Sequence, residues 1–235
     1  MSRILRALAL VAVSASVLSA QVQTKQFAVV TRLGAVIPER SSSLNTGALL
    51  GLDTEYALSK WLGIGTNIDV LRSNTHREDF LTRLRYGNAG VGGGDSIYYQ
   101  NIGQAVSTIN IGAFGTVRVP NKTLSPFIMG GVGTYTLIPN AQVNGRAKRK
   151  TDLSLTFGGG IWYKLGDRVG VQLDARAMQM RNYDRNFFNP ALGRPELRNP
   201  FPEDFPNPPA AKNTALSTMF TLGFRYLPGG VGGSN

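Results

Sequence analysis

The sequence predicts an all-β fold, an eight-stranded antiparallel up-and-down transmembrane β-barrel, and three observations carry that expectation. The first is alternation. Thr156 to Met178, TFGGGIWYKLGDRVGVQLDARAM, holds two alternating runs joined by a Gly-Asp-Arg turn. Leu155, Phe157, Ile161, Tyr163, Val169, Val171 and Leu173 share one parity, and Gly158, Gly160, Gln172, Asp174 and Arg176 share the other. A strand turns successive side chains to opposite faces. A barrel in lipid needs an apolar outside around an inside that is small or polar. The second observation is that short and long connections alternate along the chain. The third is composition: 28 glycines with only 17% charged residues is unusual for a water-facing surface, where roughly a quarter of residues are charged.

The N-terminal segment is read first, because it sets the compartment. Arg3 and Arg6 precede the apolar run Ala7 to Val13, and small residues from Ser14 to Ala20 lead to Gln21. This is the pattern of a secretory signal peptide over residues 1–20, cut after Ala20, although Leu18 is larger than the usual residue three before a cut. The apolar run is short for an uncleaved anchor, since a membrane helix needs about 20 residues. Residues 21–235 contain no Pro/Ser linker between blocks of different composition and are expected to form one barrel domain. The absence of cysteine excludes disulfides and thiolate metal sites. No later segment is a candidate transmembrane helix, so entry into a membrane requires a closed barrel that leaves no backbone group unpaired in lipid.

Alternating runs fall at about 25–37, 44–58, 61–72, 103–119, 124–138, 151–165, 169–183 and 214–227. Most exceed the roughly 9 to 11 residues that a tilted strand needs to cross a bilayer. Ser59-Lys60, Pro120 to Thr123 and Gly166 to Arg168 are tight turns, whereas Ser73 to Ile102, Pro139 to Lys150 and Asp184 to Asn213 are long. Pro38 to Ser43 is intermediate. Barrels of this kind have short periplasmic turns and longer external loops, which puts both termini on the periplasmic side. Tyr56, Trp61, Tyr163, Phe224 and Tyr226 all lie beside the short turns or the end of the last strand, where an interfacial aromatic girdle belongs. The competing reading makes these aromatics the core of a soluble barrel. The opposite parity speaks against it, because Gly63, Gly65, Asn67, Asn110, Gly112, Ser154, Gly158, Gly160 and Gly223 suit a narrow lumen better than a hydrated outer wall.

With the apolar parity facing lipid, Arg32, Asp53, Glu55, Asp69, Arg118, Asp152, Lys164, Asp174, Arg176 and Arg225 point inward. Five are basic and five acidic. Buried charges persist when paired and hydrogen-bonded, so a balanced set predicts ion pairs that plug the lumen. An eight-stranded barrel is only wide enough for its own side chains in any case. The fifth strand leaves two registers open, with Phe127, Met129 and Tyr135 competing against Ile128 and Val132 for the outer face.

Removing Arg3 and Arg6 from 25 basic residues leaves 23 against 14 acidic, a net charge of +9 that a neutral lumen assigns to loops, turns and strand ends. Its densest part is Arg146, Lys148, Arg149 and Lys150, where the outer-leaflet head groups would lie. Such side chains can bind lipopolysaccharide phosphates or remain a solvated charged loop. Nucleic acid is a poor partner for an exported barrel. Residues 87–94, GNAGVGGG, are conformationally permissive. Asn186 to Pro209 holds Phe187, Phe188, Phe201 and Phe205 among seven prolines. Its aromatics can form an exposed contact surface or fold down as a lid, and the sequence leaves both open.

No catalytic, cofactor or metal site is expected. His76, the only histidine, sits in SNTHREDF with Ser73, Glu78 and Asp79 nearby in sequence, but a catalytic triad is defined by spatial geometry. No His, Asp and Glu cluster has metal-ligand spacing, GVGGG lacks the strand, helix and lysine of a phosphate loop, and PNKT is turn chemistry.

The chain resembles the OmpA-like/OmpX-like group of small outer-membrane barrels in ALSKWLGIGTNID (57–69), SPFIMGGVGTYT (125–136) and GGGIWYKLGDRVGVQLDARA (158–177). The resemblance implies a structural or adhesive surface role, or occasionally a small pore, in the outer membrane of a Gram-negative-type bacterium. It also implies recognition by the barrel-insertion machinery, and it supplies no catalytic residues. Such barrels commonly end on a terminal aromatic, whereas here LPGGVGGSN follows Tyr226, and no peptidoglycan-binding domain is expected. The expectation is a monomeric, plugged, non-enzymatic barrel whose external loops contact lipopolysaccharide or another surface. A narrow diffusion pore and a lipid A-modifying enzyme stand as alternatives.

Overall fold

The structure, a computed structural model, describes residues 26–79, 81–86, 96–101, 103–121, 123–140, 149–188 and 212–228. Its strands are β1 (Phe27–Pro38), β2 (Gly47–Ala57), β3 (Leu62–Asn74), β4 (Leu81–Tyr86), β5 (Ser96–Asn101), β6 (Ala105–Arg118), β7 (Leu124–Pro139), β8 (Lys150–Lys164), β9 (Val169–Arg181) and β10 (Thr214–Tyr226). Eight of them close a barrel in the order β1-β10-β9-β8-β7-β6-β3-β2. Closure is made by β1 and β10, paired antiparallel from Val29 opposite Tyr226 to Pro38 opposite Ser217. No barrel edge is left open, which lipid demands because it offers no partner to a free N–H or C=O.

These eight strands coincide with the eight expected runs, their ends differing by a few residues. The connection expected as a plain loop between β3 and β6 instead carries the β4-β5 hairpin, paired from Leu81 opposite Asn101 to Tyr86 opposite Ser96. The glycine-rich stretch 87–94 lies outside the described residues, as does the expected signal peptide, residues 1–20. Side chains hold two of the short turns. Ser59 Oγ accepts the N–H groups of Trp61 and Leu62 at 3.1 and 3.0 Å, and Asn121 Oδ1 accepts the Thr123 N–H at 3.2 Å. Such local bonds satisfy backbone donors that the ladder does not reach.

Burial is inverted relative to a water-soluble fold. Leu33 is 66% exposed and Ile128 65%, with Leu50, Ile64, Phe157, Leu173 and Leu222 also on the outer wall, while Arg32 is 1% exposed inside. A wall of this kind is stable against acyl chains and would aggregate in water. Outward threonines satisfy one another across strands: Thr54 and Thr66 hydroxyls lie 2.8 Å apart, and Thr136 and Thr151 lie 2.9 Å apart. On β7 the two open registers resolve. Ile128 and Val132 face out, while Met129 and Tyr135 are buried inside and Phe127 shares their parity. Among the described residues no helix is long and apolar enough to cross a membrane, which leaves the strands as the spanning elements.

Candidate functional site

The lumen is the candidate site, because the alternation of every strand directs its polar residues there. Eight charged residues are buried among the described ones: Arg32, Asp53, Glu55, Asp69, Arg118, Asp174, Arg176 and Arg225. They form two clusters at different heights. In the middle of the barrel, Arg32 Nη2 donates to Asp53 Oδ1 at 2.7 Å and to Asp69 Oδ1 at 2.5 Å. Arg176 Nη2 donates to Asp53 Oδ2 at 2.6 Å, and its Nε donates to Asp174 Oδ1 at 3.0 Å. Asn67 and Asn110 donate to Asp69, and Gln172 and Thr221 donate to Asp174, so the carboxylate oxygens are held by neutral donors as well. Nearer the short turns, Glu55 accepts from Arg118, from Arg225 at 2.7 Å and from Thr116 at 2.6 Å. The Arg225 guanidinium also stacks over the Trp162 ring, 4.8 Å from its centroid.

Glycine creates the room for these contacts. A Cβ on Gly51 would stand 2.7 Å from Asp69 Oδ1 and 2.9 Å from Arg32 Nη2, and one on Gly63 would stand 2.4 Å from Glu55 Oε1. Both positions face inward, so a larger residue at either would push a charged group off its partner.

Two residues expected in the lumen are not part of it. Asp152 lies at the long-loop end of β8, where its Oδ1 accepts from Asn182 at 3.0 Å and from the Leu153 N–H at 2.8 Å. Lys164 lies at the opposite end of that strand and pairs with Asp167 of the turn at 3.2 Å, with Asp167 largely in water. Both have the inward parity but sit at the rims, because parity gives the face of a strand and not the depth. The remaining eight still balance, four arginines against four carboxylates.

The upper lumen is filled differently. Val36, Leu49, Leu71, Val106, Tyr135, Leu137, Met178, Met180 and Met219 form a buried apolar cluster beneath the long loops. The connection after β9 closes it: Phe188 is 1% exposed, Phe187 packs beside it, and the Tyr183 ring lies tilted against the Phe188 ring, 6.1 Å between centroids. Of the two fates open to these two phenylalanines, folding down as a lid is the one observed. Phe201 and Phe205 lie outside the described residues. The Tyr183 hydroxyl donates to the Ser42 carbonyl at 2.7 Å, and burial pushes its pKa well above the ordinary range. Gln104 donates to the Phe188 carbonyl at 2.7 Å, tying the lid to the approach to β6. This apolar layer escaped the sequence reading, although Asp174, Arg176, Met178 and Met180 share one parity and announce a change from charge to sulfur along the lumen.

At the short-turn end Tyr56, Trp61, Tyr163, Phe224 and Tyr226 all face outward and are exposed. At the opposite end Arg149 is exposed and Lys150 begins β8, while Arg146 and Lys148 lie outside the described residues. Within the barrel strands the outward parity carries only two charges, Arg72 and Arg181, both at the long-loop rim and both exposed. His76 lies in that rim between β3 and a short 3-10 turn, its N–H bonded to the Ser43 carbonyl at 2.9 Å. Nearby, Arg40 makes a two-pronged pair with Asp79 at 2.5 and 2.7 Å. Burial raises the Asp79 pKa, but the bonds and charge of Arg40 outweigh it and hold the carboxyl below its ordinary range. Among the described residues no group of His, Asp and Glu could hold a metal ion.

The comparisons with known proteins agree with this architecture. Residues 5–194 match the family described as outer membrane protein beta-barrel domain. The chain belongs to this family. Its members are barrels of the Gram-negative outer membrane, and that is the compartment of this protein. Neisserial surface protein A is similar in structure at 11% identity and TM-score 0.52, over 85% of this chain and 96% of that one. Outer membrane protein OprG from Pseudomonas aeruginosa is similar at 12% identity and TM-score 0.49, over 89% of this chain and 99% of that one. The outer membrane enzyme PagL is similar at 11% identity and TM-score 0.39, over 85% of this chain and 98% of that one. At 11% identity the likeness to Neisserial surface protein A shows the fold alone, and the other two, with TM-scores below 0.5, carry no argument. No curated protein sequence matches the chain.

Proposed function

We propose that this outer membrane barrel is a closed, non-enzymatic surface protein whose external rim contacts lipopolysaccharide. The observation that carries the reading is the filling of the lumen by two unlike layers, the arginine–carboxylate clusters below and the methionine-rich apolar layer with its Phe188 lid above. A barrel filled in this way works through its outside. The long-loop rim is basic: Arg72, Arg149 and Arg181 are exposed there, and Lys150 stands beside them. Guanidinium groups at head-group height suit phosphate, which they can grip through two parallel hydrogen bonds. The short-turn end carries the aromatic girdle, which supports a periplasmic placement of the turns and both termini. The signal peptide over residues 1–20 and a monomeric state belong to the same proposal.

The test replaces Arg146, Lys148, Arg149 and Lys150 by Gln and compares association of the refolded barrels with vesicles containing lipopolysaccharide. Weaker, less salt-sensitive association by the variant is expected. Equal association at every salt concentration would end the lipopolysaccharide reading.

A further inference from the structure

We infer that the lower lumen is a binding site for a single small monovalent anion of halide size. Between the middle cluster and the Glu55 cluster lies a cavity of about 20 Å³, lined by Asp53, Glu55, Arg118, Arg176, Arg225 and Trp162 among others. That is room for one water molecule or one ion of similar size. The charged lining holds three arginines against two carboxylates, an excess of one positive charge.

The hydrogen-bond inventory points the same way. Asp53 spends Oδ1 on Arg32 and Oδ2 on Arg176, while Glu55 spends Oε1 on Arg118 and Thr116 and Oε2 on Arg225. Every carboxylate oxygen of the lining is thus engaged. Donors are left over: Arg118 Nε, Arg225 Nε, Arg176 Nη1 and Trp162 Nε1 are buried and find no acceptor in the protein. Arg118, Arg225 and Trp162 are each more than nine-tenths buried. A buried N–H without an acceptor is costly, and one on a charged guanidinium more so. A site with surplus donors, every carboxylate oxygen engaged and one net positive charge selects a ligand that accepts hydrogen bonds and is negative. The size of the cavity restricts that ligand to a halide-like ion. Binding here does not require conduction, because the apolar layer and its lid lie above.

Trp162 lines the cavity and is one of only two tryptophans, so in a Trp61→Phe background it reports alone. The refolded variant in detergent micelles is titrated with sodium bromide at constant ionic strength, balanced with sodium sulfate. Sulfate is too large for the cavity. The expected result is quenching of Trp162 emission that saturates in the millimolar range and is reversed by chloride. Quenching that rises linearly without a plateau, or no quenching, overturns the site and makes a water molecule the occupant. Arg118→Lys keeps a charge for Glu55 and removes Nε, and it should weaken bromide by about tenfold, the effect of losing one charged hydrogen bond. Unchanged affinity in that variant overturns the assignment of Arg118. If Arg118→Lys fails to give the heat-modifiable band of a folded barrel, Arg225→Lys replaces it with the same two outcomes.

Discussion

Replacing Arg176 by Met removes the cation that joins two carboxylates across the barrel, and the contacts set the size of the effect. In the middle cluster two arginines meet three carboxylates, and neutral amides and a hydroxyl balance the remainder. After the substitution Asp53 keeps Arg32 at 2.7 Å, but Asp174 keeps only Gln172 at 2.9 Å and Thr221 at 2.7 Å. One buried carboxylate is then left without a cation. Stranding such a charge costs about 3 to 5 kcal/mol, or roughly two to four powers of ten in the unfolding constant. Urea unfolding of the barrel in vesicles, followed by tryptophan emission, measures it. The double variant Arg176→Met with Asp174→Asn removes the stranded charge and should recover at least about half of the loss, since the two residues are coupled by direct contact. A single variant within about 1 kcal/mol of the parent protein, or a double variant whose loss is the sum of the singles, would refute the reasoning.

Three further outcomes follow from the rim and the lid. The Asp79 carboxyl is held below its ordinary value of 3.8, so its pairing with Arg40 stabilises the fold fully above that pH and the benefit is lost as pH falls through the lowered folded value. Arg40 is 45% exposed, so the gap in thermal stability between the protein and Asp79→Asn should be small at pH 6, at most about 1 kcal/mol, and should close toward pH 2; a gap independent of pH contradicts the pairing. Tyr183→Phe takes the donor from the buried Ser42 carbonyl and should cost about 1 to 2 kcal/mol, read as a lower unfolding midpoint, with an unchanged midpoint counting against a tightly closed lid. His76→Ala should leave the mass profile of lipid A in producing cells as it is, and an altered profile would bring back the enzyme reading.

The fold was legible because one physical rule, the two-residue period, acts on all eight barrel strands at once. Lipid enforces that period more strictly than water does: an outward arginine mid-strand would be costly, and the outward charges present, Arg72 and Arg181, occur only at the rim. The same rule placed eight of the ten expected lumen charges. It misplaced Asp152 and Lys164, since alternation is blind to height and the register between strands decides which inward residues lie deep. The β4-β5 hairpin was missed because its two strands are only six residues each and flank a glycine-rich run that reads as loop. The apolar layer was missed for a different reason. Met178, Met180 and Met219 resemble lipid-facing residues in chemistry and lumen residues only in parity, and weighing charge alone hid them.

The central claim is that the barrel is closed by its own side chains, and planar-bilayer conductance of the refolded, heat-modifiable protein tests it most directly. A silent membrane is predicted, with current appearing only when the charged clusters and the apolar layer with its Phe188 lid are both broken. Steady discrete openings from the unaltered protein would contradict the account and make it a narrow pore.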